Sequence, residues 1–235
     1  SVLNQKYPNF EHIIVDGVST DETIDILVKY QHLKWISEKD KGQADAINKA
    51  FKQANGDIIA WLNADDLYTE STFNIVNEFF INNPEKNVLQ GNSILYNESS
   101  SASIPLNHHC YNFDNILQYW DGSTMPTQPS VFFRRSIIEN DKLLDESLSY
   151  AMDYDLWCRI SQKHKFYHLE HIFSIYRLHN KSKSGDLNEW KQFYPEWHSV
   201  YCRYKQYSLI IPKNKYLLTV IINFTIQDIE RFISS

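Results

Sequence analysis

The chain has 235 residues, with 23 Lys and Arg against 29 Asp and Glu, so its formal net charge is −6. This length can bury the core of one large domain, or of one domain with a small appendage. A hydrophobic content of 43% and a charged content of 22% exclude wholesale disorder. The acidic balance argues against nucleic acid as a partner, because nucleic-acid binding needs clustered positive charge.

Glycine and cysteine usage excludes further classes of site. The closest pair of glycines, Gly42 and Gly56, is 14 positions apart, so neither a G-x-G-x-x-G turn nor a P-loop is present. Cys110, Cys158 and Cys202 are odd in number and widely spaced, which argues against a disulfide framework or a cysteine zinc site. We therefore expect a reducing, cytoplasmic location.

Strand and helix patterns alternate over the first 95 residues. Strands are predicted at 11–16, 33–37, 57–62 and 88–95, and helices after the capping box Ser19–Glu22, at 43–54 and at 70–82. Such alternation predicts a mostly parallel sheet with helices on both faces. Ligands of these sheets bind beyond the carboxyl ends of the strands, where Asp16 and the run Asn63–Asp66 stand.

The second half is less regular until residue 128. A strand is predicted at 128–133, a helix at 152–163, a strand or strand pair at 166–179, and amphipathic helices at 187–206 and 214–233. We predict a catalytic domain at 1–185 and a C-terminal helical extension at 186–235. The extension suits packing against the domain, which we favour, or peripheral contact with a membrane surface. Its longest uncharged stretch, Tyr216–Gln227, has 12 residues, whereas a bilayer span needs about 20.

Adjacent carboxylates at a strand end repel each other unless a proton or a cation lies between them. Asp65 and Asp66 are such a pair, and Asn63 adds an amide oxygen. Magnesium or manganese is bound in proteins by one or two carboxylates together with substrate phosphates. We interpret Asp65 as a metal ligand and Asp66 as a cap of the following helix.

Six motifs, in this order, resemble glycosyltransferase family two, the inverting enzymes that use nucleotide sugars. They are Asp16–Thr23, Asp40–Asn48, Leu62–Asp66, Gln128–Arg134, Met152–Trp157 and Tyr176–His179. The resemblance covers residues 1 to about 185 and implies an α/β fold of GT-A type, a Rossmann-like, mostly parallel sheet flanked by helices, with a C-terminal helical appendage. Because relatives begin with an apolar strand and helix that this sequence lacks, the resemblance also implies a chain truncated at its N-terminus.

The resemblance assigns the donor side. Asn63-Ala-Asp65 corresponds to the D-x-D motif of the family, with Asp65 as the metal ligand and Asn63 as a hydrogen-bonding group for the ribose. Asp16 would contact the nucleobase or the ribose, or would cap the adjacent turn. The residues of the second motif that approach the nucleotide are Lys41, Gln43 and Asn48.

The catalytic and acceptor sides are assigned in the same way. Asp153 corresponds to the catalytic base, and Met152 stands where the family usually has Glu; Asp155 is interpreted as a helix cap. His179 would join the metal or the pyrophosphate, or serve as a structural histidine. Gln128 and Trp157 are candidates for the acceptor cleft, although buried aromatic residues are more often core.

These assignments predict an inverting transfer of a sugar from a nucleotide-diphospho-sugar to a hydroxyl acceptor, with a divalent cation as cofactor. UDP-linked donors are the default; GDP- and dTDP-sugars stay open. The expected acceptor is a sugar or a lipid-linked glycan in polysaccharide or glycoconjugate synthesis, so the enzyme would be cytoplasmic, or peripheral at the inner face of the membrane. The alternatives are a non-catalytic sugar-nucleotide-binding or scaffolding subunit and a metal-dependent nucleotidyltransferase.

Overall fold

The computed structural model describes residues 1–138, 143–183 and 190–208. The predicted helix at 214–233, with the stretch Tyr216–Gln227, lies outside the described residues. Within the described ranges, no helix is long and apolar enough to cross a membrane.

The amino-terminal elements alternate as the sequence predicts. They are β1 (His12–Asp16), α1 (Thr23–Leu27), β2 (Leu33–Ser37), α2 (Gln43–Gln53) and β3 (Ile58–Ile59). β1 and β2 pair in parallel, and the register sets Asp16 opposite Ser37. Helix α1 begins at Thr23, after the predicted capping box: the Ser19 N–H and hydroxyl donate to the Asp16 carboxylate, and Glu22 stands at the N-cap without a side-chain cap hydrogen bond.

The remaining elements build one large sheet with its covering helices. They are β4 (Leu67–Tyr68), α3 (Thr72–Asn82), β5 (Val88–Asn97), β6 (Ala102–Leu106), α4 (Phe113–Ile116), β7 (Val131–Arg134), α5 (Met152–Ser161), β8 (Phe166–Leu178) and α6 (Trp190–Tyr204). The six-stranded sheet has the order β3-β7-β5-β8-β4, and β6 pairs with the second half of β5.

Strand pairing corrects one part of the predicted fold class. Among the described strands, only β1–β2 and β5–β8 are parallel, and the other four pairings are antiparallel, so the sheet is mixed and not mostly parallel. One reason is local: a short turn joins β5 to β6, in the region where the sequence predicts no regular element, and strands joined so closely pair antiparallel. The α/β class itself is confirmed.

The third predicted strand, 57–62, is reduced to the two residues of β3. Beyond Ile59 the backbone leaves the sheet, because the Trp61 carbonyl accepts a hydrogen bond from Gln128 Nε2 (2.6 Å) and not from a neighbouring strand. The Asp66 N–H then donates to the Asn63 carbonyl (3.1 Å) and closes a turn. The Asn63–Asp66 run therefore lies in a loop held by side chains.

Alternate side chains of the sheet supply two hydrophobic cores. Val88 of β5 and Phe133 of β7 face the first core, whereas their neighbours Leu89 and Phe132 face the second. Helix α3 covers the second core, and α5 and α6 cover the first. Three residues of α6 belong to the first core: Val200, Tyr201 and Tyr204.

This packing bears on the predicted domain division at 185/186. The described part of the C-terminal extension, 190–208, shares the hydrophobic core of the catalytic domain and packs against it, as the favoured use of these helices requires. The division at 185/186 stays a prediction, and residues 209–235 lie outside the described ranges.

Candidate active site

Asp16 ends β1 and is buried. Its carboxylate accepts hydrogen bonds from the backbone N–H of Val18 (3.1 Å) and Ser19 (3.1 Å) and from the hydroxyls of Ser19 and Ser37 (2.6 Å). The two hydroxyls, ahead of the backbone donors, lower the pKa of Asp16. Capping of the adjacent turn, one of the two roles expected from the sequence, is therefore what the structure provides.

Val18 follows Asp16 in the left-handed region, with φ +66°. A β-branched residue rarely adopts this conformation, and such strain persists only where neighbouring contacts hold the backbone. Here the Asp16 carboxylate holds the Val18 and Ser19 amides. The loop after β1 is thus fixed in shape at the predicted nucleotide site.

Asp65, in the loop between β3 and β4, and His179, directly after β8, lie next to each other. Asp65 Oδ2 lies 3.0 Å from His179 Nε2, and both side chains are partly exposed. The Lys181 N–H points at His179 Nδ1 (3.2 Å), which assigns the proton of the neutral imidazole to Nε2. In this arrangement His179 donates a hydrogen bond to Asp65.

The same pair fits a divalent cation by its spacing and its chemistry. Neighbouring ligands of an octahedral ion with bonds of about 2.1 Å lie about 3 Å apart, and a carboxylate with an imidazole suits manganese or magnesium. His179 could ligate through Nε2 only in its other tautomer, with the proton on Nδ1, and that nitrogen could then no longer accept from the Lys181 N–H. In the described ranges no three His, Cys, Asp or Glu side chains form a metal cluster, so a cation there would need ligands from substrate or water.

Asn63 is the centre of a network of amides. Its Oδ1 accepts from Gln43 Nε2 (3.0 Å), and its Nδ2 donates to Asp66 Oδ2 (3.2 Å) and to Gln128 Oε1 (3.1 Å). A carboxylate at position 63 could not donate to either acceptor. The departure from the D-x-D pattern is therefore matched by its surroundings.

Gln128 supports this network from the interior of the protein. It is buried, its Nε2 donates to the Trp61 carbonyl (2.6 Å), and its Oε1 accepts from Asn63. Because both ends of the amide are used inside the protein, the prediction that Gln128 faces the acceptor is wrong. The side chain supports the Asn63–Asp66 loop.

Asp66 does not cap the following helix, as expected from the sequence. It is buried, and its Oδ1 accepts from the backbone N–H of Arg177 in β8 (3.0 Å). Burial, more than the neighbouring charge of Asp65, raises the pKa of Asp66 to about 6. Asp66 thus ties the loop to β8, at a residue two positions before His179.

Asp153 lies in the first turn of α5 and is half-buried. Burial raises its pKa to about 6, although hydrogen bonds from backbone N–H groups, including that of Tyr154 (2.7 Å), and the charge of Lys183 oppose the rise. A carboxyl with such a pKa is a stronger base than an exposed one and is still mostly ionised at pH 7.

Asp155, the predicted helix cap, has a different place. It is 1% exposed, and its carboxylate accepts from Arg159 (2.9 Å), Arg203 (2.8 Å) and the Tyr204 hydroxyl (2.9 Å). These contacts join α5 to α6. Asp155 is a buried ion-pair residue of the helix interface.

Lys41 and Asn48 are not brought to the Asn63–Asp66 loop by any described contact. Lys41 is exposed, its ammonium is 3.9 Å from Glu146, and its N–H donates to Asp45 (2.9 Å). Asn48 is buried, and its amide exchanges hydrogen bonds with the Leu144 backbone (2.8 and 3.0 Å) and donates to Glu146. Asn48 therefore positions the segment before α5.

Trp157 corrects a further expectation. Its ring is 1% exposed and stacks on Trp61, with centroids 5.7 Å apart and planes at 12°. A buried ring cannot stack against an acceptor sugar, so the acceptor role of Trp157 is wrong. Its stacking instead links α5 to the residue two positions before Asn63.

Lys183 is the functional candidate that the sequence did not reveal. Its ammonium donates to Gln43 Oε1 (3.0 Å) and to the Ser149 carbonyl (2.8 Å), and its charge lowers the pKa of Asp153. The contacts join the donor-side amides to the segment before the base. A lysine in a loop after a strand carries no sequence signal, because Lys181, two positions earlier, has the same setting.

Comparison with known proteins identifies the family. The sequence profile of Glycosyl transferase family 2 matches residues 1–141, more than half of the chain. The chain belongs to glycosyl transferase family 2. The match contains the donor-side candidates from Asp16 to Asp65, whereas Asp153 and His179 lie beyond it.

Relatives of the family 2 chain carry glycosyltransferase names. An uncharacterized glycosyltransferase of Rickettsia typhi is 27% identical over 211 residues, which cover 84% of this chain and 64% of the relative. The putative teichuronic acid biosynthesis glycosyltransferase TuaG of Bacillus subtilis is 28% identical over 209 residues, covering 84% of this chain and 78% of the relative. The chain thus spans less than two thirds of the length of the Rickettsia relative.

The GT-A fold is confirmed by solved structures. TarS 1–349 of S. aureus in complex with UDP-GlcNAc superposes with a TM-score of 0.71 at 19% identity, over 95% of this chain and 67% of that one. At this identity the likeness establishes the fold. The family 2 chain is therefore a GT-A protein with a mixed sheet and helices on both faces.

Proposed function

We propose that this chain carries the catalytic centre of an inverting glycosyltransferase that moves a sugar from a nucleotide-diphospho-sugar to a hydroxyl group of a glycan or lipid-linked glycan. The observation that carries the proposal is a chain of contacts. Asn63 contacts Gln43 (3.0 Å), Gln43 contacts Lys183 (3.0 Å), and Lys183 acts on the charge of Asp153. The Lys183 ammonium thus links the donor-side loop that contains Asn63 to Asp153, a carboxyl with a raised pKa.

In the proposed reaction the acceptor oxygen attacks the anomeric carbon as the bond to the leaving diphosphate breaks. Asp153 takes the proton of the acceptor hydroxyl, and a positioned base contributes ~10²–10⁴-fold to such a step. The electron pair of the broken bond leaves with the nucleoside diphosphate, whose growing negative charge the Lys183 ammonium is suited to meet. No covalent intermediate with the enzyme forms.

Asp65 and His179 are the residues that would hold a divalent cation, manganese or magnesium, together with oxygens of the diphosphate. When bound, such an ion supplies Lewis-acid stabilisation of the leaving group. Asp16, Lys41, Gln43 and Asn63 would bind and orient the rest of the donor, and Asn48 would position the segment that leads to α5.

We take a UDP-linked donor as the first candidate, because the TarS structure with a matching fold holds UDP-GlcNAc. TuaG, named for teichuronic acid biosynthesis, favours a polysaccharide acceptor. Free thiols at Cys110, Cys158 and Cys202 fit a cytoplasmic location, and a glycan on a lipid carrier would bring the enzyme to the inner face of the membrane.

Calorimetric binding of UDP, GDP and dTDP tests the donor site, with manganese and with a chelator. We expect one nucleotide to bind in a metal-dependent way and Asp65→Ala to lose the metal-dependent part. Glu85→Gln, which changes an exposed carboxylate before the amino end of β5, is the control and should bind as the wild type does.

Turnover separates an enzyme from a binding subunit. Asp153→Asn should bind the same nucleotide but lose sugar transfer, because the base alone is removed. A folded wild-type protein that binds none of the three nucleotides would refute the proposal. Nucleotide binding with equal turnover in wild type and Asp153→Asn would refute the role of Asp153.

A further inference from the structure

Glu196 of α6 grips the segment immediately before α5. Its Oε2 accepts hydrogen bonds from the backbone N–H groups of Tyr150 (2.7 Å), Ala151 (2.9 Å) and Ser149 (3.0 Å), and its Oε1 accepts from Ser149 as well (3.0 Å). Three successive amides therefore converge on one carboxylate. Asp153 follows two residues after the last of them.

The physical reason for this contact lies at the start of α5. The first N–H groups of a helix have no partner within the helix, and its N-terminus carries partial positive charge. Ala151 occupies the N-cap position and has no side chain that could accept a hydrogen bond. The carboxylate that serves this end comes from α6, 45 residues along the chain from Ala151.

The opposite side of the segment is held too. Lys183 donates to the Ser149 carbonyl (2.8 Å) and lies over the Tyr150 ring at 5.5 Å. The Tyr150 hydroxyl donates to Gln192 of α6 (2.8 Å), and its ring packs against Phe193 with centroids 4.8 Å apart. The residues that lead into α5 are thus held through amides, a carbonyl and a side chain.

Helices α5 and α6 share other contacts besides those of Glu196. One or more turns further along, Asp155 of α5 is bound by Arg203 (2.8 Å) and Tyr204 (2.9 Å) of α6, and Val200 and Tyr201 pack into the shared core. The contact of Glu196 acts at a different place, on the backbone amides that lead into the first turn of α5.

We infer that Glu196 is a positioning residue for sugar transfer, which sets the Asp153 carboxylate at the distance and angle from which it accepts the proton of the attacking hydroxyl. This inference rests on the proposed function, in which Asp153 is the base. Misplacement of a catalytic group by about 1 Å costs on the order of 10²-fold in rate, so the contact is worth most in kcat. Glu196 touches none of the proposed donor-binding residues in any described contact.

The test compares Glu196→Ala and Glu196→Gln with Tyr204→Phe, using UDP-N-acetylglucosamine and release of UDP as the probe. Glu196→Ala should lower kcat by roughly 10- to 100-fold and leave KM for the donor within about twofold. Glu196→Gln keeps one carbonyl oxygen for the three amides and should restore part of kcat. Tyr204→Phe removes a different contact between α5 and α6, so it should lower Tm and leave kcat within about twofold.

Hydrogen exchange on the same variants measures the grip without turnover. Exchange at 149–155 should rise in both Glu196 variants, while 43–48 and 63–66 exchange as in the wild type. Wild-type kcat in Glu196→Gln and Glu196→Ala, or unchanged exchange at 149–155, overturns the inference. If Glu196→Ala does not fold, Glu196→Gln decides on both measurements.

Asp153→Asn, assayed beside these variants, distinguishes a failure of the proposed base from a failure of the positioning role of Glu196. Full UDP release by Asp153→Asn means that Asp153 is not the base, so that part of the proposed function fails and the positioning role fails with it. Loss of release in Asp153→Asn, together with a wild-type rate in the Glu196 variants, means that only the role of Glu196 fails. If the wild type itself releases no UDP, this donor is wrong, and the exchange measurement decides whether Glu196 holds the segment.

Discussion

The ammonium of Lys183 lies between two groups that are far apart in the sequence, the Gln43 carboxamide and the Ser149 carbonyl. It is also the charged side chain that lowers the pKa of Asp153, against a larger rise from burial. Two other carboxylates near Asp153 have partners of their own. Glu196 accepts from backbone amides, and Asp155 is paired with Arg159 and Arg203. The charge of Lys183 therefore has a direct effect on when Asp153 is ionised.

Lys183→Met should move the pH dependence of turnover. Without the ammonium, the pKa of Asp153 rises further above its ordinary value, and a base works only when ionised. The acid limb of kcat/KM, expected near pH 6 in the wild type, should shift to higher pH. UDP release from UDP-N-acetylglucosamine, followed from about pH 5 to pH 8, measures the shift.

Lys181→Met is the matched control. It removes an exposed lysine from the same loop, and the charge of Lys181 is not among the causes that shift the pKa of Asp153. Its acid limb should coincide with that of the wild type. An unmoved limb in Lys183→Met, or an equal shift in both variants, would contradict the role of Lys183.

At the scale of elements, the central pair β5–β8 slips in register at one point. Gly91 pairs with Leu169, and the next residue, Asn92, pairs with Ile172. A Cβ at Gly91 would run into the Phe173 ring and lie 2.7 Å from the His171 carbonyl. Beyond the slip β8 runs to Leu178, so the irregularity precedes the strand end that presents His179.

Gly91→Ala should destabilise the protein by about 1–3 kcal/mol, because the added methyl group must displace the Phe173 ring or the β8 backbone. Urea unfolding followed by circular dichroism measures the change in the free energy of unfolding. At Gly122 a Cβ meets nothing within 4 Å, so Gly122→Ala should stay within about 0.5 kcal/mol of the wild type. Equal stabilities of the two variants would disprove the steric account.

At the scale of the whole molecule, the contact of α6 with the first core makes this helix part of the catalytic domain's packing. Val200 and Tyr201 are buried there with residues of α5 and the sheet, and Arg203 and Tyr204 bind the buried Asp155. A carboxylate buried without its partners is costly. The helix is therefore part of the fold that carries Asp153.

A chain that ends at residue 185, the predicted domain boundary, should not unfold as one cooperative unit at the temperature of the full chain. It lacks the core residues of α6 and leaves Asp155 without Arg203 and Tyr204. Differential scanning calorimetry checks this, with the full chain as the reference. A cooperative transition at an unchanged Tm would show that 186–235 is a separable extension.

The sequence was sufficient for features that depend on local order. Asp16 and Asn63 follow buried strands, and the carboxyl ends of strands are where ligands of α/β sheets bind. The sequence could not predict the use of Gln128 and Trp157, because types that serve as acceptor-binding groups also serve as braces and core.

The contacts of Lys183 and Glu196 were out of reach for a related reason. Lys183 meets Gln43 across 140 positions and Glu196 meets Ala151 across 45, and no local pattern encodes which distant amide a side chain will find. The parallel sheet was over-predicted because alternation fixes the order of strands and helices and does not fix strand direction.

The cap that α6 places on α5 also orders events during synthesis. A ribosome adds about 5–20 residues per second, so Glu196 is made about 2 to 9 seconds after Ala151, the amide that it serves 45 positions earlier. During that interval the nascent chain already contains Asp16, Gln43, Asn63 and Asp65, whereas the amides of 149–151 still lack the carboxylate that accepts from them. A growing chain would thus contain its donor-side loop before the segment that leads to Asp153 is fixed, and catalytic competence would arrive last.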